Sequence, residues 1–221
     1  MFIPRLDILP ASQRNLWPEL AATPREFTLY GRTAIALRLG HRASVDFDFF
    51  SAQPFTPSAL KETVPYLHGG RTVQSAANTL TVSVDRGGPV LLSFFGDLGL
   101  GQVAATETAA GPAFAVASLL DLAGTKVAVV TQRAEMKDYL DIHALITLAG
   151  LDLPNMLAAA TVIYGSEFNP LIALKAISYH DDSGLRGLAA SMRHDLLVAV
   201  RATRLDVLPR IEGIRHREAR R

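Results

Sequence analysis

The stretch Leu29–Phe50, LYGRTAIALRLGHRASVDFDFF, decides how this chain is interpreted. Two aspartates, Asp46 and Asp48, stand one residue apart in a run that is otherwise valine and phenylalanine. Strands are depleted in aspartate, and carboxylates on one strand face repel each other. Successive side chains alternate between the two faces, so both carboxylates share one face, about 6.5–7 Å apart along the strand. The pattern predicts a bound cation; the alternative is an acidic sheet face without a ligand.

The residues before this run predict an anion site. The strand-like segment 25–30 ends at Gly31, and helix formers follow at once up to Gly40, a residue typical of helix ends. A helix that begins directly after a strand points its free N–H groups at an anion such as triphosphate. Magnesium suits a pair of carboxylates because it prefers oxygen ligands and shares its coordination shell with phosphate. The two halves together predict a site for magnesium and a nucleoside triphosphate.

The composition is that of a globular protein. The 221 residues suffice for one large domain or two small ones, and 49% are apolar while 19% are charged. The absence of cysteine excludes disulfides and thiolate metal sites. Neither a secretory signal nor an apolar run of about 18 residues is evident, so we expect a cytoplasmic protein without a membrane span.

The charge pattern gives little information about partners. The net charge is +1, so any nucleic-acid contact requires a local basic patch rather than bulk charge. The last ten residues, 212–221, are strongly basic. They form either such a patch or a solvated tail.

The order of the predicted elements indicates an α+β fold, with a mixed sheet first and helices last. Strands are expected at 25–30 and 44–50, and a hairpin at 79–85 and 89–96. In the first half we expect helices at 12–21, 32–40 and 57–67. From about residue 112 we expect only helices, over 115–133, 136–150, 154–165, 169–180 and much of 185–204. This predicts a sheet-containing core, residues 1–111, and a helical region packed on it, residues 112–221.

Two blocks of sequence resemble the AbiEii/AbiGii toxin family, whose fold is that of the nucleotidyltransferases. The family pattern has a Gly-Gly or Gly-Ser pair that opens a helix, then Leu-Gly-His-Arg, then Ser-x-Asp-x-Asp. This chain matches it at Gly31, Thr33, Leu39, Gly40, His41, Arg42, Ser44, Asp46 and Asp48. A second block, 119–145, is similar to the family's Lys…Arg…Lys-Asp-x-x-Asp pattern at Lys126, Arg133, Lys137, Asp138 and Asp141. The resemblance extends from about Leu16 to Pro209.

The resemblance implies a nucleotidyltransferase-like sheet followed by an α-helical part, and a magnesium-dependent transfer of a nucleotide from an NTP to RNA or protein. Such proteins are often the toxin of a bacterial toxin–antitoxin pair, and targets in the wider group include the acceptor end of tRNA. The implied metal ligands are Asp46 and Asp48. The implied catalytic residues are Asp46, Asp48, Lys126 and Asp138. The implied nucleotide-binding residues are Gly31, Arg32, Thr33, Arg42, Ser44 and Arg133.

Several of these residues have an alternative role. Offsets of 7 and 11 place Lys126, Arg133 and Lys137 on one side of an unbroken helix, either along a triphosphate or on a solvated face. Lys126 stands among apolar residues, where an unpaired ammonium is costly, which favours a function. Asp138 could accept a proton from the nucleophile or fix Lys126. Arg42 could pair with a phosphate or with Asp46.

Two departures from the family pattern affect the expected activity. Arg32 stands where a second glycine or a serine is usual, so it either contacts the phosphates or crowds them. Many nucleotidyltransferases carry a third carboxylate on a later strand, but the strand 89–96 offers Ser93 and no acid before Asp97. The alternative function is therefore a nucleotide- or nucleic-acid-binding protein on the same fold, without turnover.

Overall fold

The computed structural model describes residues 1–214, and in that range the chain forms seven strands and eight α-helices. The strands are β1 Thr28–Tyr30, β2 Asp46–Phe50, β3 Arg71–Ala76, β4 Thr79–Asp85, β5 Pro89–Phe95, β6 Glu107–Thr108 and β7 Ala115–Val116. The helices are α1 Ala11–Leu16, α2 Gly31–Leu39, α3 Pro57–Thr63, α4 Leu119–Val129, α5 Met136–Thr147, α6 Leu153–Tyr164, α7 Pro170–Ser178 and α8 Ala190–Ala202. The predicted α+β class is confirmed.

The chain divides into two compact units, which differ in their secondary structure. The first unit, Met1–Gly99 with Thr106–Ala117, contains all seven strands, α1, α2 and α3. The second unit contains Leu100–Ala105 and the chain from Ser118 onward, with helices α4 to α8. From Arg215 to Arg221, the basic tail considered above lies outside the residues that the structure describes.

The sheet of the first unit is mixed, with the strand order β3-β4-β5-β2-β1-β7-β6. Strand β2 lies at its centre, antiparallel to β1 and parallel to β5. On one face Phe47, Phe49 and Phe94 are fully buried, and the rings of Phe49 and Phe94 stack 5.2 Å apart. The opposite face carries Asp46 and Asp48, both half-buried. The alternation of the central strand therefore separates an apolar core from a polar face.

Helix α2 connects the neighbouring strands β1 and β2. Its residues Ala34, Ile35 and Leu37 are fully buried, so the helix belongs to the core of the first unit. It ends at Gly40, whose φ of +65° is the left-handed conformation that glycine adopts at little cost. The predicted helix terminator is confirmed.

The core of the second unit is a close contact between α4 and α6. Gly124 of α4 faces the α6 backbone: a Cβ atom at this position would lie 2.9 Å from the nitrogen of Ala160 and 2.8 Å from Cδ1 of Ile163. These distances are shorter than real Cβ contacts, so only glycine allows the two helices to approach so closely.

Some elements differ from the prediction. Residues 115–117 do not belong to a helix, because Ala115 and Val116 pair with β1 as strand β7 and the helix begins only after Ser118. The strand β3 was missed, since all six of its residues are exposed and its sequence has no apolar alternation. Short edge strands such as β6 and β7 depend on pairing partners distant in sequence, which local patterns do not reveal.

We predict that Gly124→Ala lowers the free energy of unfolding by about 2 kcal/mol, because overpacking against a backbone typically costs roughly 1–3 kcal/mol. The measurement is thermal and urea unfolding followed by circular dichroism. Gly99→Ala is the control, since a Cβ atom there meets nothing within 4 Å. Equal stability of the two variants would show that α4 and α6 can move apart freely.

Candidate nucleotide and metal site

The first part of the site is the turn that joins β1 to α2. Tyr30 is extended and Gly31 opens the helix at once with a φ of +71°, a conformation that other residues rarely adopt. The first backbone N–H groups of α2 therefore lie directly at the end of the strand. Such groups have no partners within the helix and attract anions. The anion site expected from the sequence thus has the predicted local structure.

The second part is the carboxylate pair of β2. Asp46 and Asp48 lie on one face of the strand, as predicted, while Phe47 and Phe49 are buried on the other. Asp48 is paired in register with Tyr30 on one side and with Ser93 on the other. The sheet thus places the carboxylates directly beside the turn at Gly31.

The Asp48 carboxylate occupies the space that a side chain at position 31 would need. A Cβ atom on Gly31 would lie 2.7 Å from Oδ2 of Asp48. Only glycine therefore allows the carboxylate to lie against the turn. Two carboxylates beside the N-terminus of a helix offer the oxygen ligands that Mg²⁺ prefers, next to a place that favours an anion. The residues present fit a magnesium–triphosphate complex.

Arg32 lies close to the carboxylate pair. Its Nη2 atom is 4.0 Å from Oδ2 of Asp46, and the two side chains are 24% and 28% exposed. The guanidinium thus offsets part of the repulsion between Asp46 and Asp48. A ligand that binds there would meet both a cation and carboxylates.

Thr33 and Ser44 are buried and hold the beginning of β2. The Thr33 hydroxyl donates to the backbone oxygen of Asp46 and lies 2.8 Å from the Ser44 hydroxyl. Each hydroxyl has one proton, so Ser44 must donate to Thr33. Both side chains use their hydroxyl protons inside the protein, and they fix the backbone that carries Asp46.

Two further side chains act near the start of β2. Arg42 donates from Nη1 to the backbone oxygen of Ala43 at 3.0 Å and is half-buried. Gln13 of α1 donates from Nε2 to the backbone oxygen of Val45 at 2.8 Å. Sequence reasoning missed Gln13, because it lies 32 residues away from Val45 and no local pattern marks it.

The second unit contains a cluster of charges that is buried except for Arg133, whose side chain is 43% exposed. Nζ of Lys126 lies 2.9 Å from Oδ1 of Asp138 and 3.1 Å from Oδ2 of Asp141. Nε of Arg133 donates to Oδ2 of Asp138 at 2.9 Å. Both aspartates are fully buried and Lys126 is 4% exposed. Asp141, to which the resemblance assigned no role, thus also contacts the lysine.

The unbroken helix expected through Lys126 and Lys137 is not formed. Helix α4 ends at Val129 and α5 begins at Met136, and Arg133 lies in the turn between them. The turn nevertheless brings Lys126 and Arg133 together, because both bind Asp138. Lys137 is exposed and is not part of the cluster. The ion pairs, rather than helical periodicity, align the two cations.

The pKa of Asp138 reflects this environment. Burial alone would raise the pKa of the carboxyl, but the hydrogen bonds and charges of Arg133 and Lys126 outweigh burial and hold the pKa below its usual value. A carboxylate with a lowered pKa is a weak proton acceptor. The geometry therefore favours the second of the two expected roles, in which Asp138 fixes Lys126.

Among residues 1–214, no group of three or more His, Cys, Asp or Glu side chains could hold a metal ion. The candidate metal ligands are thus the two carboxylates of β2. The residue opposite Asp48 on β5 is the buried Ser93, whose hydroxyl accepts from Thr81 at 3.3 Å. Ser93 thus lies next to Asp48 on the neighbouring strand.

Comparison with known proteins gives a family match over most of the chain. The model of the family described as "Nucleotidyl transferase AbiEii toxin, Type IV TA system" matches residues 19–193. An uncharacterized protein of Aquifex aeolicus (strain VF5) is 28% identical over 161 residues, which are 72% of this chain and 75% of that protein.

Two solved structures share the fold at low sequence identity. The nucleotidyltransferase toxin MenT4 from Mycobacterium tuberculosis superposes with a TM-score of 0.60 and 13% identity, over 88% of this chain and 83% of its own. A crystal structure from H. pylori, described as that of a nucleotidyltransferase, superposes with a TM-score of 0.54 and 16% identity. The match covers 86% of this chain and 90% of that chain. Between residues 1 and 214, no helix has the length and apolarity required to cross a membrane.

We predict that Asp138→Asn lowers the free energy of unfolding at pH 7 by about 3 kcal/mol, because it removes one of the two carboxylates that hold the buried Lys126 ammonium. The pKa of Asp138 is lowered by folding, so its ionised form stabilises the protein above pH 4 and this contribution is lost as the pH falls below the ordinary value of 3.8. The variant should therefore lose less stability than the parent between pH 5 and about pH 3. Urea unfolding across that range measures both effects.

The control for this prediction is Asp206→Asn, which removes a carboxylate from an exposed pair with Arg204. An exposed pair contributes about 0–1 kcal/mol, so this variant should resemble the parent. If the two variants lost equal amounts of unfolding free energy, a stabilising role of the cluster around Lys126 would be contradicted.

Proposed function

The chain belongs to the AbiEii family of nucleotidyl transferase toxins, and we propose that it transfers a nucleotide from a nucleoside triphosphate to RNA, with tRNA as the first candidate, in a magnesium-dependent reaction. Protein is the alternative acceptor. The family is described as part of type IV toxin–antitoxin systems, which implies an antitoxin partner. A triphosphate donor also places the proposed activity in the cytoplasm.

One observation carries this proposal. The Asp48 carboxylate lies against the turn at Gly31, in space that any other residue would fill. The N-terminus of α2 and the carboxylates of β2 thus lie side by side, where a metal ion and a phosphate chain could bind together. An acidic sheet face without a ligand would not require a glycine in a left-handed conformation at this position.

The residues of the first unit have distinct roles in the proposed reaction. Asp46 and Asp48 would hold Mg²⁺, which when bound neutralises phosphate charge and makes the α-phosphorus more electrophilic. The N–H groups at Gly31 and Thr33, together with the Arg32 and Arg42 guanidinium groups, bind the phosphate oxygens. An acceptor hydroxyl forms a bond to the α-phosphorus, the bond to the bridging oxygen breaks, and pyrophosphate leaves. The hydroxyl proton is released to solvent.

The buried hydroxyls have a positioning role in this proposal. Ser44 and Thr33 donate within the protein and hold the Asp46 backbone, so their effect on the nucleotide passes through that carboxylate. In the second unit we assign to Lys126 and Arg133 the role of neutralising phosphate charge. Asp138 is the carboxylate that orients both cations. An ammonium held by two aspartates is already fixed in position, which lowers the entropy cost of binding.

We predict that the double variant Asp46→Ala, Asp48→Ala keeps its fold but loses transfer by on the order of a hundredfold or more, because several kcal/mol of metal-dependent charge stabilisation are removed. The measurement uses each α-labelled triphosphate with purified RNA or cell extract, together with calorimetry of magnesium and a triphosphate. The matched control is Glu26→Ala, Glu62→Ala, which removes two exposed carboxylates. Equal transfer by both double variants would reject the proposed site.

A second candidate function, nucleotide binding with slow turnover, is favoured by Ser93. This residue stands opposite Asp48, where a third carboxylate would help to bind a second metal ion. We predict slow transfer in the parent protein and tighter magnesium binding in Ser93→Asp. Calorimetry with magnesium and a triphosphate measures the gain, and Ser93→Asn is the uncharged control of similar size. Unchanged metal binding and transfer in Ser93→Asp would show that position 93 does not reach the metal site.

A further inference from the structure

Three aromatic side chains form a patch on the polar face of the sheet in the first unit. They are Tyr30 of β1, Phe50 of β2 and Phe95 of β5, and all three are half-buried. The rings of Tyr30 and Phe50 are stacked, with their centroids 4.9 Å apart and their planes 13° apart. The ring of Phe95 meets that of Phe50 edge-on, with 5.6 Å between the centroids. These three side chains are called the aromatic patch below.

The sheet register places the aromatic patch next to the candidate phosphate site. Asp48 and Phe50 are two residues apart on β2, so their side chains share one face and lie about 6.5–7 Å apart along the strand. Tyr30 pairs with Asp48 across the strands and directly precedes Gly31. The patch therefore adjoins the turn at Gly31 and lies on the side of Asp48 that is away from Asp46.

The aromatic patch differs from the aromatic residues on the other face of the sheet. There Phe47, Phe49 and Phe94 are fully buried and belong to the core. The rings of the patch keep part of their surface accessible, although they stand on the face that also carries the two carboxylates. Single exposed apolar residues are common, whereas adjoining ones indicate a surface that binds something. The core of the first unit thus does not account for the whole surface of these rings.

Hydroxyl groups lie on both sides of the patch. Phe50 pairs with Thr28 on β1 and with Phe95 on β5, and Phe95 pairs with Thr79 on β4. The four side chains form one row on the same face, with a half-buried threonine at each end. A hydroxyl group both donates and accepts, so it suits the polar edge of any base. Selection by this row therefore depends on ring area more than on a pattern of donors and acceptors.

We propose that the aromatic patch binds the base of the donor nucleoside triphosphate by stacking and that it favours a purine. The proposal rests on the proposed function, because it requires the phosphate chain to lie at the turn at Gly31. The ribose then spans the step from Asp48 to Phe50, and the base extends the stack of Tyr30 and Phe50. Stacking tolerates every base, but a purine has two fused rings and covers more aromatic surface than a pyrimidine. The aromatic patch, rather than the carboxylates, thus determines which triphosphate is the donor.

Calorimetry in the presence of magnesium tests this inference without turnover. It compares ATP with inorganic tripolyphosphate, which has the phosphate chain but neither ribose nor base. Phe50→Leu keeps an apolar side chain and removes the ring, so ATP should bind about five- to tenfold more weakly while the affinity for tripolyphosphate stays within about twofold. Phe95→Leu should change the ratio of the two affinities in the same direction. Binding of tripolyphosphate also shows that each variant has kept its fold.

Two further variants serve as controls. Phe50→Tyr keeps a ring at position 50 and should bind both ligands as the parent does. Tyr179→Leu removes an exposed ring from α7 in the second unit and should leave both affinities unchanged. In the parent protein, ATP and GTP should bind more tightly than CTP and UTP.

The outcomes separate this inference from the proposed function. If Phe50→Leu and Phe95→Leu weaken the binding of ATP and tripolyphosphate equally, or of neither, the rings only support the sheet and the inference is wrong, even in a protein that transfers nucleotides. If CTP and UTP bind the parent as tightly as ATP and GTP, the preference for a purine is wrong. A parent protein that binds ATP through the patch but transfers no nucleotide to any acceptor would overturn the proposed function alone.

Discussion

The repulsion between two carboxylates on one strand face is the constraint on which the first unit depends. Asp46 and Asp48 lie at the centre of the sheet, where strands normally carry apolar or β-branched side chains. Two features lower the cost: Arg32 lies 4.0 Å from Asp46, and Asp48 lies against the first turn of α2, whose dipole favours a negative charge. A divalent cation bound at this face would lower the repulsion further.

In the second unit, by contrast, side chains of opposite charge pair with one another. Lys126 contacts the carboxylates of Asp138 and Asp141, and Arg133 contacts those of Asp138 and Glu135, so each cation is paired with acidic side chains. Buried ion pairs contribute little net stability compared with apolar packing, but the loss of one member is costly. The cluster also joins α4 to α5 through the turn at Arg133. Its members hold one another in place, which fixes the geometry of the cluster.

The sequence predicted the parts of this structure that depend on local patterns. The alternation in β2, the glycine at the start of α2 and the glycine after its end each follow from backbone chemistry within a few residues. The role of Gln13 and the pairing of β7 with β1 could not be predicted, because they depend on contacts between distant segments. The same limit explains the error over Lys126 and Arg133: helical spacing was the only relation visible in the sequence, whereas the shared partner Asp138 lies beyond the helix end.

The polar face of the sheet shows why a third carboxylate at position 93 would be costly in this chain. Ser93 is buried and bonded to Thr81, so the strands next to Asp48 present hydroxyl groups rather than charge. An aspartate there would face Asp48 directly across neighbouring strands, and like charges at that distance destabilise a sheet. It would also have to be desolvated at a buried position, where only a bound cation could offset the cost. With serine at this position, the face needs no bound cation to offset a third buried charge, and a metal site on it would rest on the two carboxylates of β2.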